Sequence, residues 1–520
     1  MPIRRKRLPK SPLGNAGEQP LMNPSKVSES QSLLSFPPLV EALAGFFEPQ
    51  GAGVYLVGGV VRDVVLGRST SDVDIAVAGP VHEVGEQLAT FLEGTAVVLD
   101  AERDIVRIVA HEENDGGIVD LTPIQSTIDE DLSRRDFTID AMAVPLEAAS
   151  KATQSQVIDP FEGLTDLRAG IVRSLSPESL DADPARLARA PRLAAQLRFD
   201  IEESTARWIR TRASSICSVA PERVRDELLK LIAAPSPSRS LRLLDDLDLL
   251  TEIIPELSEA RGVEQPKEHY WDVFNHLIET TEWVQWLLQE RYQDDGAVAK
   301  LGPSFPSEQE FFAQEATDGH TRMTLLKLAG LLHDIAKPAT KSIESNGRMR
   351  FFGHSELGAE MAAGIMKRLR FSQRGVELVS KAVEQHLRPG QMAQKGEMPT
   401  ARAVYRYYRD VGEAALDTIY LNLADYLAAR GPMLGEEEWA EHCAVASHIL
   451  QGSFTNGTAK DRPKLLDGHD VMRVLSMPPG PTVRHYLERV REAQASGEIE
   501  SREEAIELVG NLSKDSSNDA

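Results

Sequence analysis

Short apolar runs separated by turns fill the first part of the chain, and helical periodicity fills the rest. Between Leu39 and about Leu175, the runs Val54–Val57, Val73–Val77, Ala96–Leu99, Ile105–Val109 and Ile118–Leu121 are aliphatic and bounded by turn formers, which predicts strands. Helical stretches lie among them, so a small mixed α/β domain is expected first. From Asp183 to about Leu257 the spacing is helical and rich in arginine. Residues 263–430 are helical again and carry most of the paired histidines, while 295–320, with Asp-Gly and Gly-Pro-Ser-Phe-Pro-Ser, predicts an inserted loop. A last helical segment runs from about Leu465 to Gly510, is broken at Pro478-Pro479-Gly480-Pro481, and precedes a polar tail of ten residues. Residues 1–36, rich in Pro, Ser, Asn and Lys/Arg, predict a disordered basic arm.

The expected class is therefore α/β plus all-α. Its parts are an arm (1–36), a mixed α/β head (37–178), a helical neck (179–262), a histidine-bearing helical domain (263–430) and a helical tail (431–520). At 520 residues the chain is too long for one core. Its two cysteines, Cys217 and Cys443, have no metal-ligand spacing and exclude a disulfide framework, which fits a reducing cytoplasm. No stretch approaches the roughly 20 apolar residues of a membrane span. The basic start (Arg4, Arg5, Lys6, Arg7, Lys10) lacks the apolar core of a secretory signal. A net charge of -23 argues against a broadly basic nucleic-acid coat but leaves room for a local basic groove. Neither DNA nor a membrane is an expected partner. The acidic runs Glu436–Glu438 and Glu498–Glu504 read as solvated helical faces.

Three clusters carry candidate chemistry. In the first, Gly58-Gly59 precedes a helical segment bearing Arg62, and Asp72-Val73-Asp74 follows. Residues i and i+2 of a strand share a face, so Asp72 and Asp74 lie side by side and offer the hard oxygens that Mg²⁺ prefers. Adjacent glycines let backbone amides approach phosphate. The second is Arg134-Arg135-Asp136-Phe137-Thr138-Ile139-Asp140. Its arginines can clamp phosphate, and Asp136 can take a ribose hydroxyl, a metal or an internal ion pair. The third is Asp183-Pro184-Ala185-Arg186, continuing to Arg189 and Arg192. Asp183 has the character of an N-cap and Pro184 of a first helical residue, while Pro191 predicts a kink near Ala190. A carboxylate and a guanidinium one turn apart can read the edge of a base; a solvated charged face is the plainer alternative.

In this order, the clusters resemble the class II tRNA nucleotidyltransferase and bacterial poly(A) polymerase family. The strings Asp159-Pro160-Phe161-Glu162-Gly163-Leu164 and Glu222-Arg223-Val224-Arg225-Asp226-Glu227-Leu228, and Leu249-Leu250 through Pro255-Glu256-Leu257, extend the resemblance over roughly 37 to 510. It implies that Asp72 and Asp74 hold catalytic Mg²⁺, with Asp136 close by in the chemistry. Gly58, Gly59 and Arg62 would contact the triphosphate, and Arg135 with Asp136 would favour ribonucleotides. Asp183 and Arg186 would pair with the base, supported by Arg189 and Arg192. CTP and ATP would be the donors and the tRNA 3′ end, held by its acceptor arm, the acceptor. RNA contacts would fall on Arg198, Arg207, Arg210, Arg212, Arg223 and Arg225, making binding salt-dependent.

Three departures stand out. Ala182 replaces the family's usual Glu, Asp140 its usual Asn, and the stretch from Ile118 to Asp131 is short. Family members that add only two cytidines tend to lack the long loop there. A poly(A) polymerase is the alternative within the family, though such enzymes usually end in a basic tail, whereas this chain ends Ser-Lys-Asp-Ser-Ser-Asn-Asp-Ala.

Residues 263–430 resemble the HD phosphohydrolase superfamily through His276, the pair His333-Asp334, and Asp425, with His354 and His386 as extra histidines. The resemblance implies a site for Ni²⁺, Mn²⁺, Co²⁺, Fe²⁺ or Zn²⁺, which mixed imidazole and carboxylate ligands suit. It also implies hydrolysis of 2′,3′-cyclic phosphates or phosphomonoesters at RNA ends. A hydrolase regulated by a nucleotide-sensing head, or a non-catalytic RNA-binding protein, are the readings from other classes.

Overall fold

The five predicted runs fold as strands of one sheet: β1 (Val54–Val57), β2 (Asp72–Val77), β3 (Thr95–Asp100), β4 (Ile105–Ala110) and β5 (Gly117–Pro123). A sixth, β6 (Ala143–Pro145), completes the order β3-β4-β5-β2-β1-β6. The structure is a computed structural model that describes residues 33–50, 53–101, 103–111, 117–393, 397–455 and 464–518. Most of the expected basic arm thus lies outside the described residues. Its last part is already fold, since the Leu34 amide bonds the Ala152 carbonyl at 2.8 Å. By contacts the described residues divide into two units, one comprising those up to 234 with 239–253 and the other 235–238 with those from 254 onward.

In the first unit β2 and β5 run parallel, and the remaining ladders are antiparallel. Alternation explains the layering. Val73, Ile75, Val106, Ile108, Val119 and Leu121 are buried, while their neighbours Asp72, Arg107 and Asp120 face outward. Helix α1 (Gly59–Val65) buries Val60, Val61, Val64 and Val65. Helix α2 (Val81–Phe91) follows β2 and packs on β4, with Gly85 against Val106. A four-residue connection after Pro123 leads to α3 (Ile128–Ser133), capped by Thr127. The neck packs α4 (Arg186–Leu197) on α5 (Pro221–Ile232).

Two expectations for α4 are corrected. Asp183 is not its N-cap: the helix begins at Arg186 because Asp183 ends the preceding helix Pro177–Ala182 and turns the chain, its carboxylate accepting the Ala185 amide. Pro184 therefore lies before the first turn. Pro191 sits buried within the helix, which is continuous from Arg186 to Leu197.

In the second unit, helices α6 (Val273–Leu288), α7 (Arg322–Leu332), α8 (His354–Arg368), α9 (Gln373–Gln385) and α10 (Ala415–Arg430) surround the histidines. The segment 295–320 is not a plain loop. It holds helices Ala297–Leu301 and Glu308–Ala313 and a small hairpin, because Phe312 packs on Tyr420 and Glu308 forms a buried pair with Arg291 at 2.8 Å. After the long helix Glu436–Thr455, the tail forms three more helices around Val471, Val483, Tyr486 and Val490, broken between Leu475 and Pro481 as expected. Its expected polar end is instead helical through Asn518. No helix among the described residues is long and apolar enough to cross a membrane.

Gly163 shows how tightly the head closes: a Cβ there would lie 2.3 Å from the Thr138 carbonyl oxygen. Gly163→Ala is expected to destabilise the protein by about 1–3 kcal/mol, because backbone has to shift to admit the methyl group. A urea midpoint equal to that of the parent would contradict this packing.

Candidate functional site

The glycine turn, the β2 carboxylates and the arginine motif converge. Gly58 has φ +70°, and a Cβ there would lie 2.8 Å from Arg135 Nη1 and 3.1 Å from Asp74 Oδ2. Both the conformation and the space demand glycine. The Gly59 amide donates to Asp74, and burial pushes the Asp74 carboxyl up to about 6, with Arg135 opposing and Asp120 and Asp140 adding to the rise. Asp72 is exposed on the same face. Asp120 sits opposite Asp74 in the β2–β5 register, so acids from neighbouring strands face one opening. Such a group of hard oxygens fits Mg²⁺.

Asp120 was not among the residues singled out from the sequence. The signal was there, since it is the lone charge within the apolar run Ile118–Leu121. Arg107 on β4 meets it through Nε and Nη2 at 2.8 and 2.7 Å.

Arg62 lies beside Gly59 at the glycine turn, with its guanidinium engaged by acids. Its fork is closed by Asp63 and by Asp140, with Nη1 2.5 Å from Asp140 Oδ1. This accounts for the departure at 140: a carboxylate replaces an amide, and Arg62 neutralises it. Arg135 bonds Asp131 at 3.2 Å and lies beside Gly58, where a phosphate would enter. Asp136 is buried, with Oδ1 accepting the Phe137 amide and Oδ2 accepting Arg189 at 2.9 Å. Of the alternatives open for Asp136, the internal ion pair is the one present. Burial raises its carboxyl, but Arg189 and Arg186 outweigh this and hold it below the usual range.

Asp183 and Arg186 are each fixed by neighbours. Arg223 reaches Asp183 at 2.7 Å, and Arg186 donates to Ser179 Oγ at 2.8 Å and to the Arg134 carbonyl at 3.0 Å. These bonds hold the pair although Ala182 supplies no carboxylate. Glu227, inside a string the sequence had flagged, gathers Arg192 at 2.5 Å and Arg189 at 3.4 Å. Of the other expected RNA-contacting arginines, Arg207, Arg210, Arg212 and Arg225 bond Ser204, Asp246, Asp181 and Asp226, and Arg198 ends α4 in the left-handed region.

Arg189→Ala would leave Asp136 buried without its cation. The expected loss is roughly 2 kcal/mol, reduced from the full buried-pair penalty because Arg189 is a third exposed. Adding Asp136→Asn is expected to recover part of it; a double variant as unstable as the sum of the singles would contradict the pairing.

In the second unit all six expected residues come together. His276, His333, Asp334 and Asp425 form one group, and Asp334, His354 and His386 a second that shares Asp334. His276 Nε2 lies 3.0 Å from Asp425 Oδ1 and 3.3 Å from Asp334 Oδ2, and His333 Nε2 lies 3.2 Å from Asp334 Oδ2. The Nδ1 atoms of His333, His354 and His386 face the carbonyls of Gly330, Phe351 and Val383 at 2.9, 2.6 and 2.7 Å. Each Nδ1 therefore donates to a carbonyl and turns its Nε2 inward, where a bound metal would take the place of any proton on that nitrogen. The inward Nε2 atoms of His354 and His386 are buried without hydrogen-bond partners. Burial lowers the His333 imidazole, yet Asp334 and Asp425 more than reverse this and raise it to about 10. The grouped imidazoles and carboxylates have the donor set of a divalent-cation site. Lys337, three residues past Asp334 and missed from the sequence, bonds Asp334 at 2.5 Å. His269 lies against His276, with ring centroids 5.6 Å apart.

A mixed sheet with paired acids beside a glycine turn defines a nucleotidyltransferase head, here followed in the chain by a helical domain with a candidate metal site. The comparisons agree. Residues 54–173 match the poly A polymerase head domain, 198–261 the probable RNA and SrmB-binding site of polymerase A, and 273–430 the HD domain. The A-adding tRNA nucleotidyltransferase of Deinococcus radiodurans is 32% identical over 89% of this chain and 96% of its own. The CC-adding tRNA nucleotidyltransferase of Thermus thermophilus is 30% identical over 88% and 93%. The CCA-adding enzyme of Bacillus stearothermophilus, solved with CTP, shares the fold with a TM-score of 0.58 at 18% identity, over 93% of this chain and 100% of that one. The chain belongs to the tRNA nucleotidyltransferase family.

Proposed function

We propose that the head extends the 3′ end of tRNA with cytidylate from CTP and stops after two additions. The observation that carries the chemistry is the convergence of Asp74 and Arg135 on the Gly58 turn, with Asp72 on the same face of β2. Asp72 and Asp74, with Asp120 beside them, would hold Mg²⁺, which neutralises charge on the α-phosphate and readies the primer hydroxyl. The amides after Gly58 and the Arg135 guanidinium would receive the triphosphate. Asp183 and Arg186, held by Arg223 and Ser179, would offer a fixed acceptor and donor to the base. The 3′ oxygen bonds the α-phosphorus as the bond to pyrophosphate breaks.

The two-step limit rests on the direct connection from Pro123 to Ile128, where family members adding the final adenosine usually carry a longer loop. The A-adding relative in Deinococcus supports a second reading, addition of the adenosine alone. The two separate on tRNA transcripts ending at the discriminator base and after CC. CTP is expected to extend the first, and ATP to leave the second unchanged. ATP extension of the second alone would favour adenosine addition.

The second unit, on this reading, binds Ni²⁺, Mn²⁺, Co²⁺, Fe²⁺ or Zn²⁺ through the six histidine and aspartate ligands and hydrolyses phosphate esters at RNA 3′ ends. A cytoplasmic location fits both activities.

A further inference from the structure

The face of the sheet that bears the carboxylates continues outward to Val109 and Val97, which the described residues leave about half exposed. Register aligns two rows across it. One runs Asp74, Asp120, Arg107, Val97, and the other Asp72, Ile118, Val109, Thr95. On the opposite face α2 packs over β4 and buries Val106 and Ile108, while at the edge strand β3 that face is open too, with Val98 47% exposed. On the open face Val97 is 46% exposed and Val109 44%. Exposed aliphatic positions side by side on an edge strand and its neighbour expose apolar surface that water disfavours.

Geometry says what belongs there. The glycine turn and Arg135 lie at the β1 side of Asp74, so the triphosphate enters from that side. In phosphoryl transfer the attacking and leaving oxygens lie roughly in line. The primer hydroxyl must therefore approach from the opposite side, over β5, β4 and β3. At about 4.8 Å per strand, Arg107 stands about 10 Å from Asp74 and Val97 about 14 Å. The Arg107–Asp120 pair uses Nε and Nη2 only, and Nη1 bonds to none of the described residues.

We propose that the rows outboard of the carboxylates, Ile118, Val109, Val97 and Arg107, seat the 3′-terminal nucleotides of the RNA primer. The inference rests on the nucleotide-addition reading. Aliphatic side chains take the apolar faces of sugar and base without regard to sequence, and Arg107 Nη1 meets a backbone phosphate. These are positioning residues, since none touches the reacting atoms.

The test pairs crosslinking with kinetics on the full-length protein. A tRNA transcript carrying 4-thiouridine as its last nucleotide is irradiated with the protein. Adducts are expected on peptides spanning residues 95–109 or 117–123; adducts confined to other peptides would overturn the proposal. Val97→Glu and Val109→Glu, at exposed positions, are expected to raise KM for tRNA about tenfold while leaving KM for CTP and the melting temperature unchanged. Val109→Leu is expected to behave like the parent. An unchanged KM for tRNA, or an equal rise for both substrates, would overturn it. If the parent extends no RNA, the nucleotide-addition reading fails, and the crosslink still decides where the RNA end sits.

Discussion

Asp74→Asn is expected to cut nucleotide transfer by about 10³-fold or more while leaving the fold intact. Asparagine keeps the shape and accepts the Gly59 amide, but it cannot hold a divalent cation with the same charge. Stability should move the other way. Burial pushes the Asp74 carboxyl up to about 6, so above that pH the folded state carries an ionised group it disfavours. The sign is that of an acid whose folded pKa is raised: its ionisation costs stability as pH rises. The neutral variant is therefore expected to melt no lower than the parent at pH 8. A variant that loses activity and also melts several degrees lower would make Asp74 a structural residue.

His333→Ala is expected to empty the second site without touching the first. Its Nε2 lies within 3.5 Å of both Asp334 and Asp425, so the cation would lose a central ligand. Metal measured by mass spectrometry is expected to fall from about one ion or more per chain to less than about a tenth of that. Hydrolysis of a 2′,3′-cyclic phosphate is expected to vanish with it, while cytidine addition stays within about twofold. Full metal content in the variant would mean that the histidines serve packing. Loss of cytidine addition as well would deny the two sites their independence.

The sequence made the strands legible because each is an aliphatic run cut by turn residues, and all five were placed within about two residues of their observed ends. β6 escaped because Ala143-Val144-Pro145 is too short to show alternation and follows a helix-like stretch. The grouping of histidines and aspartates in the second unit was legible because His333-Asp334 is a rare adjacency and the other four residues lie on helices, or at a helix end, before and after it. The partners of the charged groups were not. Nothing local says that Arg62 will meet Asp140, 78 residues away, or that Glu227 will gather Arg189 and Arg192. Such pairs are set by which helices pack, and spacing along one helix carries no trace of them. The segment 295–320 misled for a related reason: its glycines and prolines read as a loop, while Phe312 and Glu308 anchor it through tertiary contacts. Asp120 sat in plain view, but its importance comes only from lying opposite Asp74 in the parallel register.

The most direct test of the central claim is product length on a tRNA transcript that ends at the discriminator base. The protein is incubated with Mg²⁺ and all four ribonucleoside triphosphates, and the RNA is resolved to single nucleotides and sequenced at its end. Growth by two cytidines and no further, absent with Asp74→Asn and retained with His333→Ala, is the predicted result. No growth, or a run of adenosines added to any RNA offered, would contradict it.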